Sequence, residues 1–359
     1  MGANWGKHIQ LSIFGESHGR AVGINISGIP AGICLDMAAI SKEMARRTPN
    51  KPLTTTRSEK DQVSIMSGVN EGYTTGAPIC IQIDNHNQQS TDYSYLKQQM
   101  RPGHSDYPAY MKYHGYNDVR GGGHFSGRLT APLVFAGALC KQLLKTEGIR
   151  VISHIQNIGD VTDQRFPLTF SNQLIVDLEK QTYPVIDKNC WQKMQALIEE
   201  VKLNKDSIGG SVECAILGLP AGIGEPFFDS LESTISSLLF SIPGVKALSF
   251  GTGFDLSKMR GTQANDSYYY DQNKQVKTSS NHNGGIIGGI SNGMPIVFTA
   301  GFKPTASIAS KQDSINVSTK ENQRLEIKGR HDPCIVLRAL PVVEAMAAIA
   351  VVEMLWSKR

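Results

Sequence analysis

Two stretches concentrate residues that handle charge and protons: Arg101-Pro102-Gly103-His104-Ser105-Asp106, and Arg120-Gly121-Gly122-Gly123-His124-Phe125-Ser126-Gly127-Arg128. Arginine offers a planar fork matched to carboxylate and phosphate oxygens, and histidine moves a proton near neutral pH. Glycine removes side-chain obstruction and tolerates positive φ, so consecutive N–H groups can converge on an anion. Taken alone, such a stretch could equally be a glycine-rich surface turn. Four more segments share its character: Phe14-Gly15-Glu16-Ser17-His18-Gly19, the run Gly284 to Gly293, Lys303-Pro304-Thr305-Ala306-Ser307, and Gly329-Arg330-His331-Asp332-Pro333-Cys334. Their spread predicts one site assembled from many loops around an anionic ligand.

His18, at the end of a predicted strand, and His104, between Gly103 and Ser105, suit general acid work, because a bound polyanion favours the protonated imidazole. Asp332 is the carboxylate best placed for proton handling, against the alternative of an Asx turn before Pro333. Arg46, Arg47, Arg57, Arg101, Arg120, Arg128, Arg330 and Arg338 stand in loop or helix-end contexts, although any one of them could be a solvated surface charge. His104, His114 and His124 match no metal-ligand spacing, so no metal is expected. A Ser-His-Asp hydrolase with Ser17 or Ser126 as nucleophile is the competing chemistry. Gly-Glu-Ser-His-Gly is not the G-x-S-x-G elbow, however, and no strand–elbow–helix follows it.

These residues need elements to hold them. Helices are predicted over Met37–Arg47 with Asp36 as N-cap, Thr130–Thr146, Cys190–Leu203, Phe228–Phe240 and Pro341–Trp356. Strands are predicted at Ile9–Phe14, Ala21–Ser27, Val151–Ile155, Ser211–Leu217 and Pro295–Ala300. The alternation is irregular and lacks a repeated βαβ unit, which predicts an α+β layered fold and not a Rossmann sheet. Gln263–Asn283 and Ser310–Lys328 read as polar loops or loop-edge hairpins.

The chain has 359 residues, 40% hydrophobic and 19% charged, as expected of a globular protein. The length allows one large domain or two, of which one over residues 1–359 is expected. No apolar run reaches membrane-span length and no signal-peptide core is evident, so a cytoplasmic protein without membrane partners is expected. Six scattered cysteines without a C-x-x-C pair read as reduced thiols. A net charge of +4 suits a small anion as well as a nucleic acid.

The motifs at Phe14–Gly19, Arg101–Asp106, Lys303–Thr305 and Gly329–Cys334 together resemble the signatures of chorismate synthase, in that family's order and over nearly the whole chain. The resemblance implies a β-α-β sandwich with helices between antiparallel sheets, and a homotetramer. It implies a 1,4-anti elimination of phosphate from 5-enolpyruvylshikimate 3-phosphate, giving chorismate, with reduced FMN and no net redox change. His104 then serves as the acid at the departing phosphate and His18 as the group that protonates or stabilises the reduced flavin. Asp332, with Ser17 and Ser126, adjusts the protonation of flavin N5, which removes the C6 proton. Arg46, Arg47, Arg128 and Arg330 are implied to line the substrate and flavin site. His124, Phe125, Ser126, Gly288, Lys303, Pro304, Thr305, Ala306, Ser307 and Arg330 are implied to hold FMN. Arg47 is the position implied for NADPH, the candidate reductant.

The chain departs from the family pattern in places. Many members read Arg-Ser-Ser-Ala-Arg after the glycine triplet, where this chain has His124-Phe125-Ser126-Gly127-Arg128. A permanent charge is thereby replaced by a pH-dependent one. Pro243-Gly244 stands where relatives often have Asn-Ala, so any contact there is through backbone. A second arginine after the first helix is replaced by Pro52 or Leu53, which weakens the case for NADPH contact. An NADPH:flavin reductase is the second function considered. A non-catalytic anion- or nucleic-acid-binding module is the third, and the absence of a basic stripe with interleaved aromatics argues against nucleic acid.

Overall fold

A computed structural model of the chain describes residues 2–49, 53–55, 61–86, 96–327 and 331–357. Two antiparallel sheets enclose a layer of helices. The first sheet runs, in spatial order, Asn4–Trp5, Gln10–Gly15, Ala21–Ser27, Ile79–Asp84, Val63–Ser67. The second runs Val245–Phe250, Ile296–Phe302, Gly210–Leu217, Arg150–Ile158, Val161–Thr162. Period-two patterning fixes the inward faces: Val22, Ile24 and Ile26 pair with Ile83, Ile81 and Ile79, and all six are fully buried. In the second sheet Ile296, Phe298, Ala300 and Phe302 alternate inward along their strand.

The helix Thr130–Thr146 packs against both sheets and against Val336–Ser357, which in turn covers the inner face of the second sheet. These two helices approach so closely that a Cβ on Gly137 would stand 2.2 Å from that of Ala345. Met37–Arg47 joins the layer, its N-terminus capped as expected by the Asp36 carboxylate on the Ala39 N–H at 2.9 Å. Asn172–Lys180 lies on the outer face of the second sheet, where Ile175 and Leu178 cluster with Ile152 and Ala215.

Several boundaries differ from the sequence reading. The C-terminal helix starts at Val336 and carries Pro341 inside it. Proline there forfeits only its own N–H bond, and burial on both sides carries the helix through. This helix is also long and apolar enough to span a bilayer, contrary to the expectation that no run is. Arg338, Glu344 and Glu353 interrupt its sequence, and all but its last turns are buried in the core. The fourth predicted helix is shorter, Leu231–Leu239, because Ser230 caps it and a separate turn spans Phe227–Asp229. Gln263–Asn283 and Ser310–Lys328 contain the hairpins Tyr268–Tyr270/Val276–Thr278 and Gln312–Asn316/Glu321–Leu325, with Lys328 itself outside the described residues.

Candidate functional site

A cavity of about 1320 Å³ opens where the glycine-rich segment, the Arg101–Ser105 loop, the Lys303–Ser307 run and the start of the C-terminal helix meet. Ser17, Arg47, Arg101, His104, His124, Phe125, Ser126, Arg128, Asp332 and Arg338 all line it.

His104 is held through Nδ1, which lies 2.7 Å from the Asp106 carboxylate. Arg101 grips the same carboxylate with Nε and Nη2, each at 2.7 Å, and with its backbone N–H at 3.1 Å. Burial alone would raise the Asp106 carboxyl, but the hydrogen bonds and charge of Arg101 and His104 outweigh it and hold it well below the usual carboxylate range. The other imidazole nitrogen, Nε2, stands across Gly122, whose Cβ would meet it at 3.3 Å. Lys303 donates its ammonium to the Gly103 carbonyl, and Arg101 Nη1 lies 3.4 Å from the Ser307 hydroxyl. The Lys303–Ser307 run therefore braces the loop that carries His104.

A second group of cations faces the cavity beside it. Arg47, 2% exposed, donates to Asp61 at 2.6 Å, and Arg128 binds the other oxygen of Asp61. Arg338 donates to Asp332 at 2.6 Å and to the Arg47 carbonyl at 3.0 Å, while the Thr55 N–H reaches the second Asp332 oxygen at 2.9 Å. Arg128 is further oriented by Asn85, whose amide holds the Glu16 and Gly19 carbonyls. Burial pushes the Arg47 guanidinium down, Asp61 opposes this, and Arg338 and Arg128 add repulsion. Arg47 Nε is buried without a hydrogen-bond partner among the described residues. Three guanidiniums packed around two carboxylates, one of them with an orphaned donor, make a site that attracts an anion.

The glycine triplet has positive φ at all three positions, as expected. Its main use is close approach and not an N–H cradle. The Gly122 N–H is already bonded to the Val119 carbonyl. A Cβ on Gly121 would stand 2.6 Å from His18 Nε2, and one on Gly123 would stand 2.1 Å from the Asp118 carbonyl. The triplet thus wraps over His18, His104 and Asp118.

The fit of a phosphorylated flavin can be tested on this geometry. Thr305 Oγ1 is buried without a partner among the described residues, on a residue of the cavity wall. Lys303 supplies a cation nearby, and Gly127 leaves open space on the opposite wall. Tyr113 and Phe125 pack at a tilt at the rim, their ring centroids 6.3 Å apart. Size, donors and aromatic edge all suit such a group. Among the described residues no three His, Cys, Asp or Glu converge as metal ligands. His124 Nδ1 donates to the Gly15 carbonyl at 2.9 Å, and His114 closes the helix Asp106–Tyr113 in the left-handed conformation.

Other expected site residues lie elsewhere. His18 is beneath the wall, behind Gly121, and does not line the cavity. Arg46 leaves a different face of its helix from Arg47 and forks onto Glu344 at 2.6 and 2.7 Å, with Glu43 at 2.9 Å. Gly288 sits in the turn between Ile286–Ile287 and Ile290–Ser291, away from the cavity. Its neighbours explain the glycine run: a Cβ on Gly284 would strike the Gly251 N–H at 2.4 Å and one on Gly289 the Glu225 carbonyl at 2.3 Å. These glycines serve close backbone packing. Arg47, the position implied for NADPH, is buried against Asp61 and lines the cavity. Pro243 and Gly244 do line the cavity, and the Gly244 carbonyl accepts from the Lys303 N–H at 3.0 Å. Arg330, Gly329, Arg57 and Pro52 lie outside the described residues. Sequence reasoning gave no role to Asp61 or Asp106. Asp61 is one acid in a polar stretch without periodicity, whereas Asp106 carried a signal, two residues after a histidine.

The family model for chorismate synthase matches residues 9–356. Chorismate synthase from Dehalococcoides mccartyi is 43% identical over 355 residues, covering 99% of this chain and 96% of the relative. That from Thermococcus kodakarensis is 41% identical over 354 residues, covering 99% and 98%. A crystal structure of chorismate synthase superimposes with a TM-score of 0.76 at 27% identity, covering 99% of this chain and 93% of that one.

Proposed function

The chain belongs to the chorismate synthase family, and on that premise we propose that it eliminates phosphate from 5-enolpyruvylshikimate 3-phosphate to give chorismate, with reduced FMN bound. The observation that carries this reading is that His104, Ser17, Ser126, Asp332 and the arginines, far apart in sequence, line one cavity. The substrate carries two carboxylates and a phosphate, which would be desolvated at a cost of several kcal/mol without cationic partners. Arg47, Arg128 and Arg338 are the groups proposed to receive them, with Arg47 Nε as a donor awaiting an acceptor. Fixed guanidiniums also hold charge where it develops, without reorganisation at the moment of reaction.

His104 is proposed to give its Nε2 proton to the departing phosphate, because Nδ1 is committed to Asp106. Asp332, fixed between Thr55 and Arg338, and the hydroxyls of Ser17 and Ser126 are proposed to handle the proton that leaves substrate carbon 6, through the flavin they would adjoin. His18, behind Gly121 and beside Ser17, would support the flavin side of the wall without touching the flavin. Lys303, Thr305 and Ser307 are proposed to hold FMN, with Phe125 and His124 at its rim; when bound, reduced FMN supplies the electron-rich ring that this elimination requires. A homotetramer belongs to the same proposal, since Phe227, Phe228 and Phe254 are 85, 93 and 85% exposed and association would cover them.

The test is anaerobic phosphate release with dithionite-reduced FMN, wild type against His104→Ala. Turnover that needs reduced flavin and collapses in the variant is expected. No release from wild type, with flavin reduced at the expense of NADPH, would replace this reading by the flavin reductase.

A further inference from the structure

The contacts of Asp106 lead beyond the site's inventory. Its carboxylate is 5% exposed as a residue and bridges two partners, His104 Nδ1 at 2.7 Å and the Arg101 guanidinium at 2.7 Å through two nitrogens. A carboxylate can only accept, so Nδ1 must carry a proton whenever this contact is made. Nε2 is then the nitrogen left for the reacting atoms; it faces Gly122, where no side chain intervenes. A histidine whose orientation is left to chance divides between two tautomers and several ring rotations, and only one presents the right nitrogen. Ser307 contacts the far end of Arg101, which links the imidazole to the segment proposed to hold the flavin.

We propose that Asp106 is a positioning residue for this reaction: it fixes the His104 imidazole with Nδ1–H inward and Nε2 toward the reacting atoms, and Arg101 fixes Asp106. Asp106 does not itself line the cavity; of the two cavity residues it touches, Arg101 is the one that fixes it and His104 the one it positions. The kinetic part of the proposal rests on the elimination reading above, while the tautomer part does not.

The experiment uses the full chain labelled with 15N-histidine, with His104 identified by difference against His104→Ala. In wild type the His104 signal is expected to report a proton on Nδ1 throughout, with both nitrogens protonated in the acid form that donates from Nε2 and Nδ1–H alone once that proton is gone; in Asp106→Asn the neutral form is expected to lose this preference. An Nε2–H tautomer in wild type, or a spectrum unchanged in the variant, overturns the proposal. The wild-type spectrum decides it even if the variant does not fold. In the phosphate-release assay Asp106→Asn should lower kcat by roughly 10²- to 10⁴-fold with KM little changed. Introduced into His104→Ala, it should cause no further loss, since the residue it orients is gone. Losses that multiply in the double variant would mean an independent role and overturn the proposal. Absence of phosphate release from wild type would refute the elimination reading and leave the tautomer measurement to judge Asp106.

Discussion

Gly121 and His18 stand so close that only a hydrogen on the glycine Cα fits between them: a Cβ would lie 2.4 Å from the imidazole Cδ2 and 2.8 Å from Ser17 Oγ. The glycine is also at φ +60, where an L-residue is strained by about 1–2 kcal/mol. Gly121→Ala should therefore push His18 and Ser17 out of place together. We expect phosphate release to fall by at least about tenfold, with stability lower by about 1–2 kcal/mol from the backbone strain alone. A variant with wild-type turnover would show that neither side chain needs its present position.

His124 stands where many relatives carry arginine, and it is exposed at the cavity rim. Its Nδ1 is already given to the Gly15 carbonyl at 2.9 Å, so it offers an anion one ring nitrogen where arginine would offer a planar fork. Flavin affinity, followed by fluorescence quenching, should be several-fold higher in His124→Arg than in wild type. Equal affinities for the two proteins would remove His124 from the binding energetics.

Thr305 Oγ1 is buried and unpartnered among the described residues. Leaving such a donor unsatisfied costs about 1–3 kcal/mol. Thr305→Val keeps the shape and removes the hydroxyl. The free protein should melt no lower, and even higher, while FMN affinity drops. A lower melting temperature with unchanged affinity would mean that the hydroxyl serves the fold and not the ligand.

Away from the site, His154 is fully buried between Asp163 at 3.2 Å and Glu213 at 2.9 Å. Burial pushes the imidazole down, but hydrogen bonds and charge from Asp163 and Glu213 outweigh it, so its pKa is raised from 6.5. A raised folded value means that the stabilisation is complete below the unfolded pKa and is lost as pH rises through the folded one. The urea midpoint difference between wild type and His154→Gln should therefore narrow as pH increases from 6.5 upward. Glu344 has the opposite sign: burial raises it, Arg46 and Lys141 outweigh burial, and the carboxyl is held at about 2. Its contribution is present above 4.5 and disappears as pH falls toward 2. A midpoint difference for His154→Gln that stays constant with pH would refute the charged-imidazole account.

What the sequence disclosed follows the range of the forces involved. Met37–Arg47 and Thr130–Thr146 were legible because their signals are local: the Asp36 cap and apolar spacing in the first, Pro132 in the first turn and Gly148 as the stop in the second. Val63–Ser67 and Ile79–Asp84 were missed, since their strand character depends on pairing with each other and with Ala21–Ser27. At the site, residues carried by dense motifs, such as His104, Ser126 and Asp332, did converge on one cavity. Arg46 and Arg47 show the limit: adjacent on one helix, they point about 100° apart, and sequence alone does not say which meets the ligand. Gly284 to Gly293 looks like a ligand loop in sequence because glycine reports close approach without saying to what.

The helix Val336–Ser357 fills the space between the two sheets, closes the cavity through Arg338, binds the inner cations through Glu344, and takes the N–H groups of Lys7, His8 and Ile9 on Glu353. On the ribosome this segment emerges after both sheets. Each sheet must therefore wait with its apolar inner face uncovered until the shared plug arrives, so the steps before that moment are the ones exposed to misassembly and to chaperone capture. Because Glu353 of the plug also takes the N–H groups that lead into the second strand, ordering of the first sheet and completion of the cavity become a single event.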